Sequence, residues 1–145
     1  DAYRPPSWGP PDVDTYNALL AGMVYRLGAV RRNSPDGAVD AATAAAVQPV
    51  FGSLREEMLR RALRPDAVTH ARMCEAYVVL GDADLALGAL ESLQAANGST
   101  KLLGKRHLTQ LLTMLAAEGR PVDMLAILRA MVQDNMRLPR AATAP

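Results

Sequence analysis

The side chains able to do chemistry are few and far apart. The chain has one cysteine, Cys74, and two histidines, His70 and His107. A structural zinc site takes four such ligands at short spacings, so these three form no metal set. Asp82-x-Asp84 has the acid spacing that opens a calcium loop, but the further oxygen ligands do not follow. That pair reads as acids at a helix start. No Gly-rich phosphate loop, nucleophile elbow or partnered carboxylate pair occurs. The sequence therefore predicts a non-enzymatic protein with no cofactor, no metal and no small-molecule substrate. A lone cysteine allows no disulfide within the chain, and Cys74, set in an apolar run, is expected to be a buried, inert thiol. What is left is chemistry for holding. Asn17 offers a donor and an acceptor on one amide, Asp66 is a carboxylate, and Arg31, Arg32, Lys101, Lys105 and Arg106 are cations without nearby acids in sequence.

These residues sit in a repetitive chain. Pro11-Asp12-Val13-Asp14-Thr15-Tyr16 returns as Pro65-Asp66-Ala67-Val68-Thr69-His70, each time ahead of a helix-like run. Asp12 and Asp66 are good N-cap candidates there. The stretch from Gly81 to Leu93 returns from Gly119 to Met131, so that Leu87 meets Leu125 and Leu90 meets Leu128. Gly81 and Gly119 each fall where one helix must stop and another begin. Repetition of this kind predicts an all-α fold, an α-solenoid of antiparallel helix pairs.

Composition agrees. Of 145 residues 50% are hydrophobic but only 4% aromatic, so the apolar mass is Ala, Leu, Val and Met, which favours helices over strands. No apolar run reaches the roughly 18 residues that cross a bilayer, so no membrane partner is expected. A net charge of +1 gives no general case for nucleic-acid binding, though a solenoid can gather charge on one face.

Along the chain, residues 1–11 form a Pro-rich extended lead-in, with Trp8 expected over the end of the first helix. Helices are expected near 12–27, from between Ala41 and Val47 to Ala62, and near 66–80, 83–96, 104–118 and 121–135. Pro49 falls inside the second, as a kink or first-turn residue. Residues 28–40, with Pro35-Asp36-Gly37, read as an inserted surface loop. Arg60, Arg61 and Arg64 beside Glu56 and Glu57 read as a solvated helix face that could also touch phosphate. The chain begins at Asp1 and is read as a stretch of a longer protein, so the lack of a transit peptide does not bear on its destination.

The segment Glu57-Met58-Leu59-Arg60-Arg61-Ala62-Leu63-Arg64-Pro65-Asp66 resembles the closing pattern of pentatricopeptide repeats. Val13-Asp14-Thr15-Tyr16-Asn17-Ala18-Leu19-Leu20 is similar to that family's opening. Tyr77 to Leu87 would also pass as a tetratricopeptide unit, a family whose repeats lack the Pro-Asp-x-x-Thr-Tyr start. The pentatricopeptide resemblance covers 12–139 as units 12–66, 67–104 and 105–139, with 140–145 as a tail or the start of another. It implies a right-handed superhelical array of about three units.

The resemblance also implies binding of organellar RNA, with bases read by the residue after the tyrosine and by the last residue of each unit. In the first unit these are Asn17 and Asp66, a pair the family associates with a pyrimidine. The second unit offers Ala71 and about Gly104, and the third Thr109 and roughly Pro139, so base reading is expected only in the first. The cationic residues are then candidates for the RNA backbone, which carries charge and no sequence information. The expected function is a scaffold subunit of a mitochondrial ribosome or related organellar ribonucleoprotein, holding protein subunits and structured RNA. The alternative is a sequence-specific factor acting on organellar transcripts, in mitochondria or in chloroplasts.

The register places Leu87, Leu90, Leu111, Leu125 and Leu128 in the core. Leu90→Ala should cost about 2–5 kcal/mol in urea unfolding. A loss under about 0.5 kcal/mol is surface behaviour and would refute the register at that position.

Overall fold

The computed structural model describes residues 9–136. Trp8, most of the lead-in, Pro139 and 140–145 lie outside them. The described residues form α1 (Val13–Arg32), α2 (Ala41–Arg60), α3 (Ala67–Leu80), α4 (Ala83–Ala95), a 3-10 turn (Thr100–Leu102), α5 (Lys105–Ala117) and α6 (Pro121–Met136), with no strand among them. The all-α expectation holds.

The repeated phrase is a capping device. Asp12 and Asp66 are the N-caps of α1 and α3, and in each case the threonine three residues on closes a reciprocal capping box. Gly81 and Gly119 adopt the left-handed backbone, at φ 82° and 65°, that lets α3 turn into α4 and α5 into α6. Asp82 then caps α4, as its place at a helix start suggested.

The third helix is the centre of the molecule. Its whole span from Met73 to Val79 is buried, and α1 and α4 both lie close along it. Small side chains permit that approach: Ala71, Cys74 and Ala76 on α3 and Ala83 and Ala86 on α4 are all buried. The second helix stands further off, held by the large buried side chains Phe51 and Met58. Phe51 meets Tyr77 of α3 edge to face, with ring centroids 6.0 Å apart.

Two expectations are corrected. Residues 28–32 are helical, so the exposed connection is only 33–40. A single Gly28 costs a helix about 1 kcal/mol and does not end it. Arg31 and Arg32 then suit the negative end of the α1 dipole. Pro49 proves to be inside α2, whose start is at Ala41.

The second correction concerns the core. Leu90 and Leu111 are buried and Leu87 is half-buried, but Leu125 and Leu128 are 46% and 45% exposed. In α6 the buried apolar residue is Ile127, and Met124 and Met131 pack against the core. Leu90 lines a groove together with Ala126 and Ile127 of α6. No helix follows α6 among the described residues to pack over Leu128.

Two backbone positions make opposite predictions. Ala62 has φ 59°, a left-handed conformation costly for alanine. Ala62→Gly should raise stability by about 0.5–1 kcal/mol. At Gly98 an added Cβ would lie 2.2 Å from Leu93 Cδ1 and 2.9 Å from Ala67 Cβ. Gly98→Ala should lower stability by about 1–3 kcal/mol. Thermal unfolding of both variants checks the two signs.

Candidate functional site

The two expected base-reading residues are brought together, and they bind each other. Asn17 Nδ2 donates to Asp66 Oδ1 at 3.1 Å, while Thr69 Oγ1 donates to Asn17 Oδ1 at 2.6 Å. The same Asp66 oxygen accepts from the Thr69 backbone N–H at 3.0 Å. Burial opposes the charge on Asp66, but bonds from Thr69 and Asn17 outweigh it and hold its pKa below the usual carboxylate range. Asn17 is only 7% exposed. The amide thus fixes α1 against the cap of α3, where the sequence suggested a solvated or base-bound side chain. Asp66 serves as the N-cap its position suggested. Ala71, in the corresponding place on α3, is fully buried.

At the next junction the cap comes from a different helix. Gly104, N-cap of α5, has no side chain to offer, and its N–H donates at 2.8 Å to Glu75 Oε2 of α3. Glu75 is 4% exposed and also pairs with Arg72 on its own helix. His107 Nδ1 lies 3.3 Å from the same Oε2, an electrostatic contact in which Nδ1 makes no aligned hydrogen bond. Burial works to raise the Glu75 pKa, but His107, the Gly104 N–H and Arg72 together hold it below its ordinary value of 4.5. A Cβ at Gly104 would sit 2.9 Å from His107 Nδ1, so this close junction suits glycine. Nothing in the local sequence announced Glu75, since its partners are a backbone group and a histidine far along the chain.

The cations converge. Arg31 and Arg32 at the end of α1 and Arg106 in the first turn of α5 line one groove of about 790 Å³, floored by Val24 and Val79. It continues past Lys105, Thr109 and Thr113. Neither stretch is lined by an acid. Tyr25, 73% exposed, stands beside Arg31 and Arg32 and was not singled out in the sequence. Arg31 is fixed by donating from Nε to the Gly37 carbonyl at 2.8 Å. The connection 33–40 thereby orients one wall. Lys101 lies on the 3-10 turn and lines neither stretch, so it is separated from the other four.

The placing of Lys105 and Arg106 runs against helix electrostatics. Positive charge at a helix N-terminus is unfavourable, and α1, α4 and α6 carry Asp14, Asp84 and Asp123 in their first turns. The first turn of α5 has no acid, as those of α2 and α3 have none, but it alone of these carries Lys and Arg. Glu75 supplies the compensating negative charge from α3.

The remaining expected residues have structural surroundings. Arg60 and Arg61 both pair with Glu57 on the α2 surface, at 2.6 and 2.9 Å. Cys74 is buried and its thiol pKa is pushed up to about 12 by burial and by Glu75, which keeps it inert. No family model, curated protein or solved structure matches this chain.

The junction at Glu75 can be measured. Glu75→Ala leaves Arg72 and the α5 terminus without their anion and should cost about 3 kcal/mol. Because the folded-state pKa is depressed, the charge-dependent stabilisation is complete above pH 4.5 and disappears as pH falls through the folded value. The stability gap between the wild-type protein and Glu75→Gln should therefore shrink as pH drops below 4.5. A gap independent of pH would refute the charged junction.

Proposed function

We propose that this chain is a non-catalytic, pentatricopeptide-like scaffold that meets RNA through the backbone, as a subunit of a mitochondrial ribosome or related organellar ribonucleoprotein. The observation that carries RNA contact is the acid-free groove. Cations distant in sequence line it together, and two of them sit at a helix N-terminus, where the helix dipole disfavours positive charge. Four cations spread along a groove suit a ligand that carries many negative charges in a row, as a polynucleotide does, better than a small anion. The solenoid reading draws support from the side-by-side packing of α1 with α3 and from the repeated caps. The organelle and the ribonucleoprotein rest on the family resemblance. Of the two expected modes, backbone contact is favoured over sequence reading. For Asn17 to read a base, its amide would have to leave Asp66 and Thr69 and emerge from a buried position.

The test is binding to short single-stranded and hairpin RNAs of unrelated sequence, followed by fluorescence anisotropy across a salt series. Binding should depend steeply on salt and little on sequence. In the combined variant Arg32→Gln, Lys105→Gln, Arg106→Gln, binding should weaken at least tenfold. The slope of log K against log salt should flatten by roughly 2, since each phosphate neutralised on a single strand contributes about 0.7. Lys101→Gln should change neither. Unchanged binding in the triple variant, or selection of one short sequence, would overturn the reading.

A further inference from the structure

A second feature lies away from the cationic groove, where α2 stands off from α3 and α4. The gap is a cavity of about 210 Å³, open on one side, with walls of Leu20, Leu54, Met58, Met73 and Leu85. On the α4 side the wall is low because Gly88 and Ala89 present almost no side chain. An apolar cavity of about 150 Å³ is enough to take up benzene, so this one has room for an aromatic ring with a short tether.

Three residues that carry polar groups line the otherwise apolar space: Arg55, His70 and Tyr77. All three can donate. None makes a side-chain hydrogen bond or ion pair among the described residues, whereas Arg60 and Arg61 on the same helix are both paired with Glu57. Arg55 is close enough to His70 and Tyr77 to act on the titration of both, as Asp66 also does on His70 and Asp82 on Tyr77. An apolar pocket with a few convergent donors is the usual form of a small-ligand site. Arg55 is exposed, lines the cavity and has no ion-pair partner among the described residues, and the planar fork of arginine suits a carboxylate.

We propose that this cavity binds an apolar carboxylate, its hydrophobic body among Met58, Met73 and Leu20 and its acid group on Arg55, His70 and Tyr77. The inference is independent of RNA binding, since it uses none of the groove cations.

The test uses 3-phenylpropanoate, with 3-phenylpropanol as its neutral counterpart, followed by the methyl resonances of Met58 and Met73 in methyl-labelled protein. The acid should shift both resonances and bind at least tenfold more tightly than the alcohol. Arg55→Met should bring the two ligands to parity. Gly88→Leu, at an exposed helical position where an added Cβ meets nothing within 4 Å, should fill the space and abolish binding of both while the helical spectrum is retained. A short peptide ending in phenylalanine, compared with its C-terminal amide, identifies the source of the acid. Tighter binding of the free-ended peptide than of phenylpropanoate assigns a polypeptide terminus, and the reverse order assigns a small molecule. Failure of the acid to shift Met58 and Met73 at millimolar concentration would overturn the site. So would equal binding of acid and alcohol to the wild-type protein, or binding that survives Gly88→Leu.

Discussion

The buried carboxylate of Glu75 fixes where the second half of the molecule can begin. It sits in the flank of α3, and taking a charge out of water is tolerable only where hydrogen bonds and opposite charge replace hydration. Arg72 supplies the charge from one turn away, and the Gly104 N–H supplies the hydrogen bond from the start of α5. Moving α5 along α3 by a turn would strand the carboxylate and uncap the helix together. The position of α5, and with it the groove formed by Arg31, Arg32, Lys105 and Arg106, depends on this one group.

The other side of α3 is fixed by a different kind of polar contact. Asn17, Asp66 and Thr69 form a neutral amide, a carboxylate and a hydroxyl in mutual hydrogen bonding. Here the cap belongs to α3 itself and α1 is the helix that conforms to it. At the α5 junction the cap is lent by α3 and the incoming helix has none of its own. Counted from the first residue of each helix, the contact moves from the fifth position of α1, Asn17, to the ninth of α3, Glu75. Successive junctions are therefore offset by about one helical turn, and a single repeat pattern cannot describe both.

Spacing between helices decides where the molecule is solid and where it is hollow. Alanines on α3 and α4 let α1, α3 and α4 come close. Phe51 and Met58 hold α2 away at two points, while Gly88 and Ala89 on the facing helix do not fill the space between. The cavity is thus a consequence of large side chains opposite small ones, and Arg55, which lines it, has no ion pair among the described residues.

Several features were decided by the sequence alone because their causes are local. The caps at Asp12, Asp66 and Asp82, the left-handed turns at Gly81 and Gly119 and the all-helical class all depend on residues a few positions apart. The burial of Leu90, Leu111 and Cys74 follows from apolar runs in those helices. Other features needed the tertiary structure because their causes are distant. Leu125 and Leu128 carry the same pattern as Leu87 and Leu90, and differ only in having no further helix over them among the described residues. Asn17 looks like a surface amide until Asp66 is brought beside it. Arg31 and Arg106 belong to no common sequence motif, and only the placing of α5 on α3 makes them neighbours. Periodicity states which face of a helix is apolar; which neighbour covers that face, and which charges then meet across the gap, is set by how the helices pack.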